Sequence, residues 1–162
     1  MTQGENDLAT TLIDAARDRS ATLAIAESLT GGLVCAALVD VPGASDVVRG
    51  GVVAYAADVK VSVLGVPADL VDRHGTVHGS VAGAMAMGVR DLLGATHAVA
   101  TTGVAGPDPS EGLPVGTVHV AVAGPAGIVD RTYSFEGDRQ SIRRQAGQAA
   151  LRLLCDVLTD TA

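Results

Sequence analysis

Hydrophobic residues along this chain switch period several times, and each switch marks a new element. Leu8, Leu12, Ile13 and Ala16 recur at helical spacing and predict an amphipathic helix over about residues 6–19. Thr22-Leu23-Ala24-Ile25-Ala26 is a short apolar run that predicts a buried strand. Ser28-Leu29-Thr30-Gly31-Gly32 reads as a turn, followed by a helix from Leu33 to about Val39 that Pro42-Gly43 ends. A second strand is predicted over 51–56, a short helix around 59–64, and another that Pro67 opens and His74-Gly75 closes. Residues 79–93 form a helix of small residues suited to very close packing, and 97–102 a third strand. Val115–Ala123 and Ile128–Phe135 read as a hairpin around Gly124-Pro125-Ala126-Gly127, and 139–158 as the last helix. Alternating strands and helices predict an α/β fold, a three-layer α/β/α sandwich. The terminal hairpin makes its sheet mixed, mostly parallel. No repeat or linker interrupts the pattern, so residues 1–162 read as one domain.

Composition narrows the classes. The chain is 48% hydrophobic but 2% aromatic, so its core must be built from Ala, Val, Leu and Ile. A net charge of −7 argues against nonspecific nucleic-acid binding, which needs a dense basic footprint. It leaves room for a small anionic ligand at a local arginine cluster. Cys35 and Cys155 match no zinc spacing and read as small hydrophobes. His74, His78, His97 and His119 give no H-x-x-x-H or H-E-x-x-H pair on a helix, so no metal is expected. The polar, acidic start Thr2–Asp7 does not read as a secretory leader, and no apolar run reaches membrane-spanning length. The expectation is a cytoplasmic protein without a membrane partner.

Lysine usage carries the sharpest chemical signal. Ten of the basic side chains are arginine and Lys60 is the only lysine. Guanidinium stays protonated, whereas a lysine amine accepts a proton once burial or a neighbouring charge lowers its pKa. Lys60 is therefore a candidate general base, against the plain alternative of one lysine surviving a biased composition.

Three segments around predicted strand and helix ends concentrate further candidates, where α/β sheets bind ligands. Ala26-Glu27-Ser28-Leu29-Thr30-Gly31-Gly32 offers a serine followed by glycines entering a helix. This suits an oxyanion hole beside a serine nucleophile, an anion cradle, or simply Ser28 or Thr30 as helix N-cap. Thr101-Thr102-Gly103-Val104-Ala105-Gly106 is either a ligand-holding loop or an ordinary glycine turn. Arg139 and Arg143 lie four apart near the start of the last helix, where cations are disfavoured; that placement points to an anion or to plain solvation.

Seven blocks in order tie these pieces together: AESLTGG, GGVVAYAADVK, LGV, HGTV, TTGVAGPD, PVGTV and GDRQSIRRQA. From about residue 7 to 155 the chain resembles the CinA C-terminal domain family, whose stand-alone members are nicotinamide-mononucleotide deamidases. The resemblance implies a mixed-sheet α/β/α fold. It also implies hydrolysis of the nicotinamide carboxamide to nicotinate mononucleotide and ammonia, with no metal or other cofactor. Carried over, the catalytic dyad is Ser28 and Lys60, with Tyr55 lining the ring pocket or hydrogen-bonding within the dyad. Glu27, Thr30, Gly31, Gly32, Thr102, Gly103 and Gly106 become substrate-binding positions. Amides near Thr30–Gly32 hold the oxyanion, and Arg143 with Arg139 or Arg144 holds the 5′-phosphate. The family and the small-residue helix together imply a homodimer or higher homo-oligomer.

Three departures stand out. Leu29 replaces the family's usual Cys, His78-Gly79 replaces a Ser-Glu pair, and Pro109-Ser110-Glu111-Gly112-Leu113 replaces a longer glycine-rich stretch. Two rival readings therefore stay open: a non-catalytic nucleotide-binding or regulatory domain, and an amidase for a different amide-bearing nucleotide.

Overall fold

The structure, a computed structural model, describes residues 3–159. Its elements in chain order are α1 (Gln3–Asp18), β1 (Leu23–Glu27), α2 (Leu33–Val39), β2 (Val48–Val53), α3 (Ala57–Ser62), α4 (Ala68–His74), α5 (Gly79–Leu93), β3 (His97–Gly103), β4 (Thr117–Gly124), β5 (Gly127–Ser134) and α6 (Arg139–Leu158). The strands form one sheet in the order β2-β1-β3-β4-β5. β1 pairs parallel with β2 and β3, whereas β4 runs antiparallel to both β3 and β5. Four of the five strands thus point the same way, and β4 alone is reversed. This is the mixed, mostly parallel sheet of a three-layer α/β/α sandwich. Among the described residues no helix is long and apolar enough to cross a membrane.

The two sheet faces differ in side-chain size, and that difference sets the spacing of the layers. Leu23, Ile25, Val99, Val118, Val120 and Val122 face α1, α2 and α6 in one core. The alternate positions Ala24, Ala26, Ala98, Ala100, Ala121 and Ala123 pack with α5 in the other. Period-2 alternation sends bulk to one side and methyl groups to the other. An alanine face lets a helix approach closely, and α5 meets it with Val81, Ala82, Met85, Ala86 and Val89, while Gly88 faces the 63–66 segment. Gly88 is the tightest point: a Cβ there would collide with the Leu64 carbonyl oxygen.

One strand boundary differs from the pattern-based expectation. The second strand runs over 48–53 rather than 51–56. The strand begins earlier because Val48 and Gly50 already pair with β1, and Gly50 and Gly51 lie opposite Ala24 and Ile25. Gly51 has no room for a side chain, because a Cβ would lie 3.1 Å from Cys35 Sγ on α2. The glycine is a packing requirement.

Gly88→Ala is expected to destabilise the fold by roughly 1–3 kcal/mol, or about 3–10 °C in Tm, as overpacking does. Thermal unfolding measures it. An unchanged Tm would mean that α5 and the 63–66 segment do not meet this closely.

Candidate functional site

Parallel pairing brings three strand ends to one edge of the sheet. Glu27 is in register with Val53 and with Thr101, so the residues following each strand converge. Ser28 N–H donates to the Thr101 carbonyl at 3.1 Å, and Ala54 N–H donates to the Glu27 carbonyl at 2.8 Å. Ser28, Ala54-Tyr55 and Thr102-Gly103 therefore occupy neighbouring positions fixed by backbone bonds.

Lys60 enters this edge from α3. Its side chain is among the largest fully buried ones, 1% exposed. Its Nζ lies 3.0 Å from Ser28 Oγ, 2.7 Å from the Ala54 carbonyl and 3.2 Å from the Tyr55 carbonyl. No carboxylate bridges it among the described residues. Burial pushes the amine below its ordinary pKa, and the field of Glu111 partly opposes that. A neutral amine has two N–H groups and one lone pair. As an ammonium Lys60 donates to all three partners; as a neutral amine it would keep the two carbonyls and turn its lone pair to the Ser28 hydroxyl.

Glu27 and Ser28 are adjacent but serve opposite faces, as strand alternation dictates. The Glu27 side chain, 1% exposed, turns to the α2 layer. Its carboxylate accepts from the amides of Gly32 (2.9 Å), Val34 (3.1 Å) and Cys35 (2.9 Å). The start of α2 therefore already holds an anion, the protein's own. Neither Ser28 nor Thr30 caps it; the N-cap is Gly32, in a left-handed conformation. This corrects the reading of the segment as a ligand cradle and places Glu27 in support of the turn. The amides of the two glycines are used as well. Gly31 N–H donates to the Ser28 carbonyl at 3.1 Å and Gly32 N–H to Glu27, so these two amides are engaged. The Leu29 and Thr30 amides make no such bond among the described residues.

The remaining candidates divide cleanly. Ser28, Tyr55, Thr102, Gly103, Gly106 and Arg139 line a cavity of about 260 Å³, with Thr76, Val77, Asp108 and Ser110. Thr30 is fully buried, its hydroxyl 2.8 Å from that of Thr101. Arg143 donates to the carbonyls of Leu29 (2.8 Å) and Thr30 (2.9 Å), and Gly31 leaves space for its guanidinium. Arg143 thus braces the Ser28 turn. Arg139 sits at the mouth, donating to the Gly106 carbonyl and to Tyr55 Oη. Arg144 is exposed and lines no part of this cavity. The two arginines at the start of α6 lie against the helix dipole because each binds backbone carbonyls. Thr76 and Val77 were hidden in sequence as a plain corner, although the HGTV block marked the place.

A larger groove, about 1030 Å³, lies on the α5 side, between residues 63–67, α5 and the hairpin. There His74 stacks on His78 at 4.3 Å and His78 lies 6.0 Å from His119. Burial and the neighbouring His78 hold His119 below its ordinary pKa. Three distant histidines meeting there was not legible in their spacing. Neither Ser28 nor Lys60 lines this groove; Ser28 lines the smaller cavity.

Comparison with known proteins agrees with this geometry. The family model described as the CinA C-terminal domain matches residues 5–158. A CinA-like protein of Frankia casuarinae is 56% identical over 136 residues, 84% of this chain and 31% of that protein. A putative competence-damage inducible protein of Desulforamulus reducens is 51% identical over 136 residues, 84% of this chain and 33% of that protein. The chain thus spans about a third of the length of these curated relatives. Solved structures match from end to end. A CinA superfamily protein from Klebsiella pneumoniae superposes with TM-score 0.94 at 33% identity, over 98% of this chain and 99% of that one. A competence/damage inducible protein from Agrobacterium tumefaciens gives 0.93 at 33% identity, over 98% of both chains. Sequence blocks, sheet order and overall superposition agree: the chain belongs to the CinA C-terminal domain family.

Proposed function

We propose that this domain hydrolyses the carboxamide of nicotinamide mononucleotide, giving nicotinate mononucleotide and ammonia through a Ser28 acyl-enzyme. The observation that carries the reading is the buried amine of Lys60, 3.0 Å from Ser28 Oγ with backbone carbonyls as its other partners. An amide is a poor electrophile and a serine hydroxyl a poor nucleophile, so the hydroxyl needs an adjacent base. Neutral Lys60 takes the Ser28 proton as Oγ attacks the carboxamide carbon. The resulting ammonium keeps its bonds to Ala54 and Tyr55 and passes the proton to the departing nitrogen. The unengaged amides of Leu29 and Thr30 are the candidate oxyanion donors, each donor of this kind being worth roughly 3–4 kcal/mol. Water then hydrolyses the acyl-enzyme by the same base. Tyr55 and Arg139 line the cavity, and in this reading Arg139 would leave its Gly106 and Tyr55 partners to hold a 5′-phosphate. Ser110 from the departing loop lines the same cavity, which keeps an amidase for a different nucleotide as the second reading. A panel of amide-bearing nucleotides separates the two.

Ser28→Ala is expected to abolish ammonia release while nicotinamide mononucleotide still binds by calorimetry. Turnover within tenfold of the wild type would exclude Ser28 as the nucleophile.

Lys60→Arg should be nearly as inactive as Lys60→Ala, because guanidinium keeps the charge but accepts no proton. In the wild type, kcat/KM should rise with pH through a pKa below that of an ordinary lysine, since burial lowers the amine. Substantial activity in Lys60→Arg would make Lys60 structural.

Arg139→Ala should raise KM for the mononucleotide about 10- to 150-fold more than for the nucleoside lacking phosphate, as loss of a charge-assisted contact predicts. Arg143→Ala should instead lower kcat on both, by loosening the Ser28 turn. The reverse assignment would place the phosphate on Arg143.

A further inference from the structure

The 108–113 turn does something specific here. Ser110 and Leu113 bond to each other through both backbone groups, at 3.2 and 2.8 Å, around Glu111 and Gly112. Both central residues have positive φ, 53° and 75°. Glycine adopts that conformation freely; glutamate rarely does. The glutamate's side chain shows what holds it there. Its carboxylate accepts from Thr76 N–H (2.8 Å), Thr76 Oγ1 (2.6 Å) and Val77 N–H (3.1 Å). Gly75 leaves space for that carboxylate, and any Cβ there would collide with it. Thr76 in turn accepts from Thr102 Oγ1 at 2.7 Å. One side chain therefore ties the 108–113 turn to the Thr76–Val77 corner and, through it, to the end of β3. Thr76, Val77, Ser110 and Thr102 all line the Ser28 cavity.

Resting on the Ser28–Lys60 reading above, we propose that Glu111 is a positioning residue for amide hydrolysis. Its carboxylate latches the 108–113 turn over the cavity and stations a fixed negative charge that stabilises Lys60 as it takes the Ser28 proton. The proton balance is simple. The Ser28 O–H bond breaks and an Nζ–H bond forms as Oγ bonds to the carboxamide carbon and the carbonyl pair moves onto oxygen. That pair then returns, the C–N bond breaks, and the Nζ proton goes to the leaving nitrogen. The Ala54 and Tyr55 carbonyls hold the ammonium formed in the first step, and a carboxylate latched on the wall of the same cavity adds a negative field to them. Glu111 is the group whose field reaches it. Of the other charged groups nearby, Glu27 serves α2, Arg143 holds the Leu29 and Thr30 carbonyls, Arg139 binds Tyr55 and Gly106, and Asp58 and Asp108 are exposed to solvent. Burial raises the Glu111 carboxyl, but the Thr76 and Val77 bonds and the charge of Lys60 outweigh it and hold the carboxyl below its ordinary pKa. Burial and Glu111 thus set Lys60 from opposite sides: neutral enough to accept a proton, basic enough to want one.

Glu111→Gln tests this, because Lys60 is the sole lysine and ε-13C-lysine labelling gives a single signal. The Lys60 titration midpoint should lie lower in Glu111→Gln than in the wild type. The rising limb of kcat/KM should move to lower pH with it, and the plateau should fall roughly tenfold. Thr76→Val removes one latch bond but keeps the charge; it should raise KM and leave the midpoint in place. An unmoved midpoint and limb in Glu111→Gln, or an equal shift in Thr76→Val, would overturn the proposal and leave Glu111 a loop brace. The lysine signal needs no substrate. Absence of ammonia release by the wild type would therefore count against the proposed reaction, separately from the electrostatic role of Glu111.

Discussion

A lysine amine buried without a bridging carboxylate is the constraint on which this site depends. Removing a charged ammonium from water is costly, and a neutral amine is the cheaper form to bury. Here the Lys60 amine finds two carbonyls and one hydroxyl, enough to satisfy it in either protonation state. The same three partners thus accommodate both ends of a proton transfer with little rearrangement. Arginine could not fill this role, and the chain uses arginine everywhere else.

The rest of the fold keeps that arrangement in place. Parallel pairing of β1 with β2 and β3 sets Ser28 beside the carbonyls of Ala54 and Tyr55. Strand alternation turns Glu27 away from Ser28, so that a buried carboxylate one residue from the serine caps α2 instead of charging the pocket. α6 reaches back with Arg143 to hold the serine turn by its carbonyls. On the other face, alanines let α5 close over the sheet. Polar positioning and small-residue packing act together: the first fixes Ser28 beside Lys60 and the second brings α5 close to the sheet.

Much of this was legible in sequence, for identifiable reasons. Strong periodicity gave every helix and strand, including α6 from Arg139 to Leu158. Isolation of Lys60 among arginines pointed to the residue that meets Ser28. The division of labour among neighbours was not legible. Glu27 next to a serine looks like a substrate contact until pairing shows which face it serves. Arg139 and Arg143 share a helix face by spacing, yet one meets the cavity mouth and the other the Ser28 turn, a difference set by loops far away in sequence. The second strand was placed three residues late, because the pairing of Val48 and Gly50 with β1 is set by a different element. Long-range partners decided each of these cases, and a single chain read residue by residue does not display them.

The account turns on an amine acting as a base at the Lys60 position, and chemical rescue tests that most directly. Lys60→Ala should leave a small cavity beside Ser28, and ammonia release from nicotinamide mononucleotide should be restored by small primary amines. The restored rate should follow the concentration of the neutral amine and increase with amine basicity. A rate that followed the ammonium form, or a Lys60→Ala enzyme already as fast as the wild type, would contradict it.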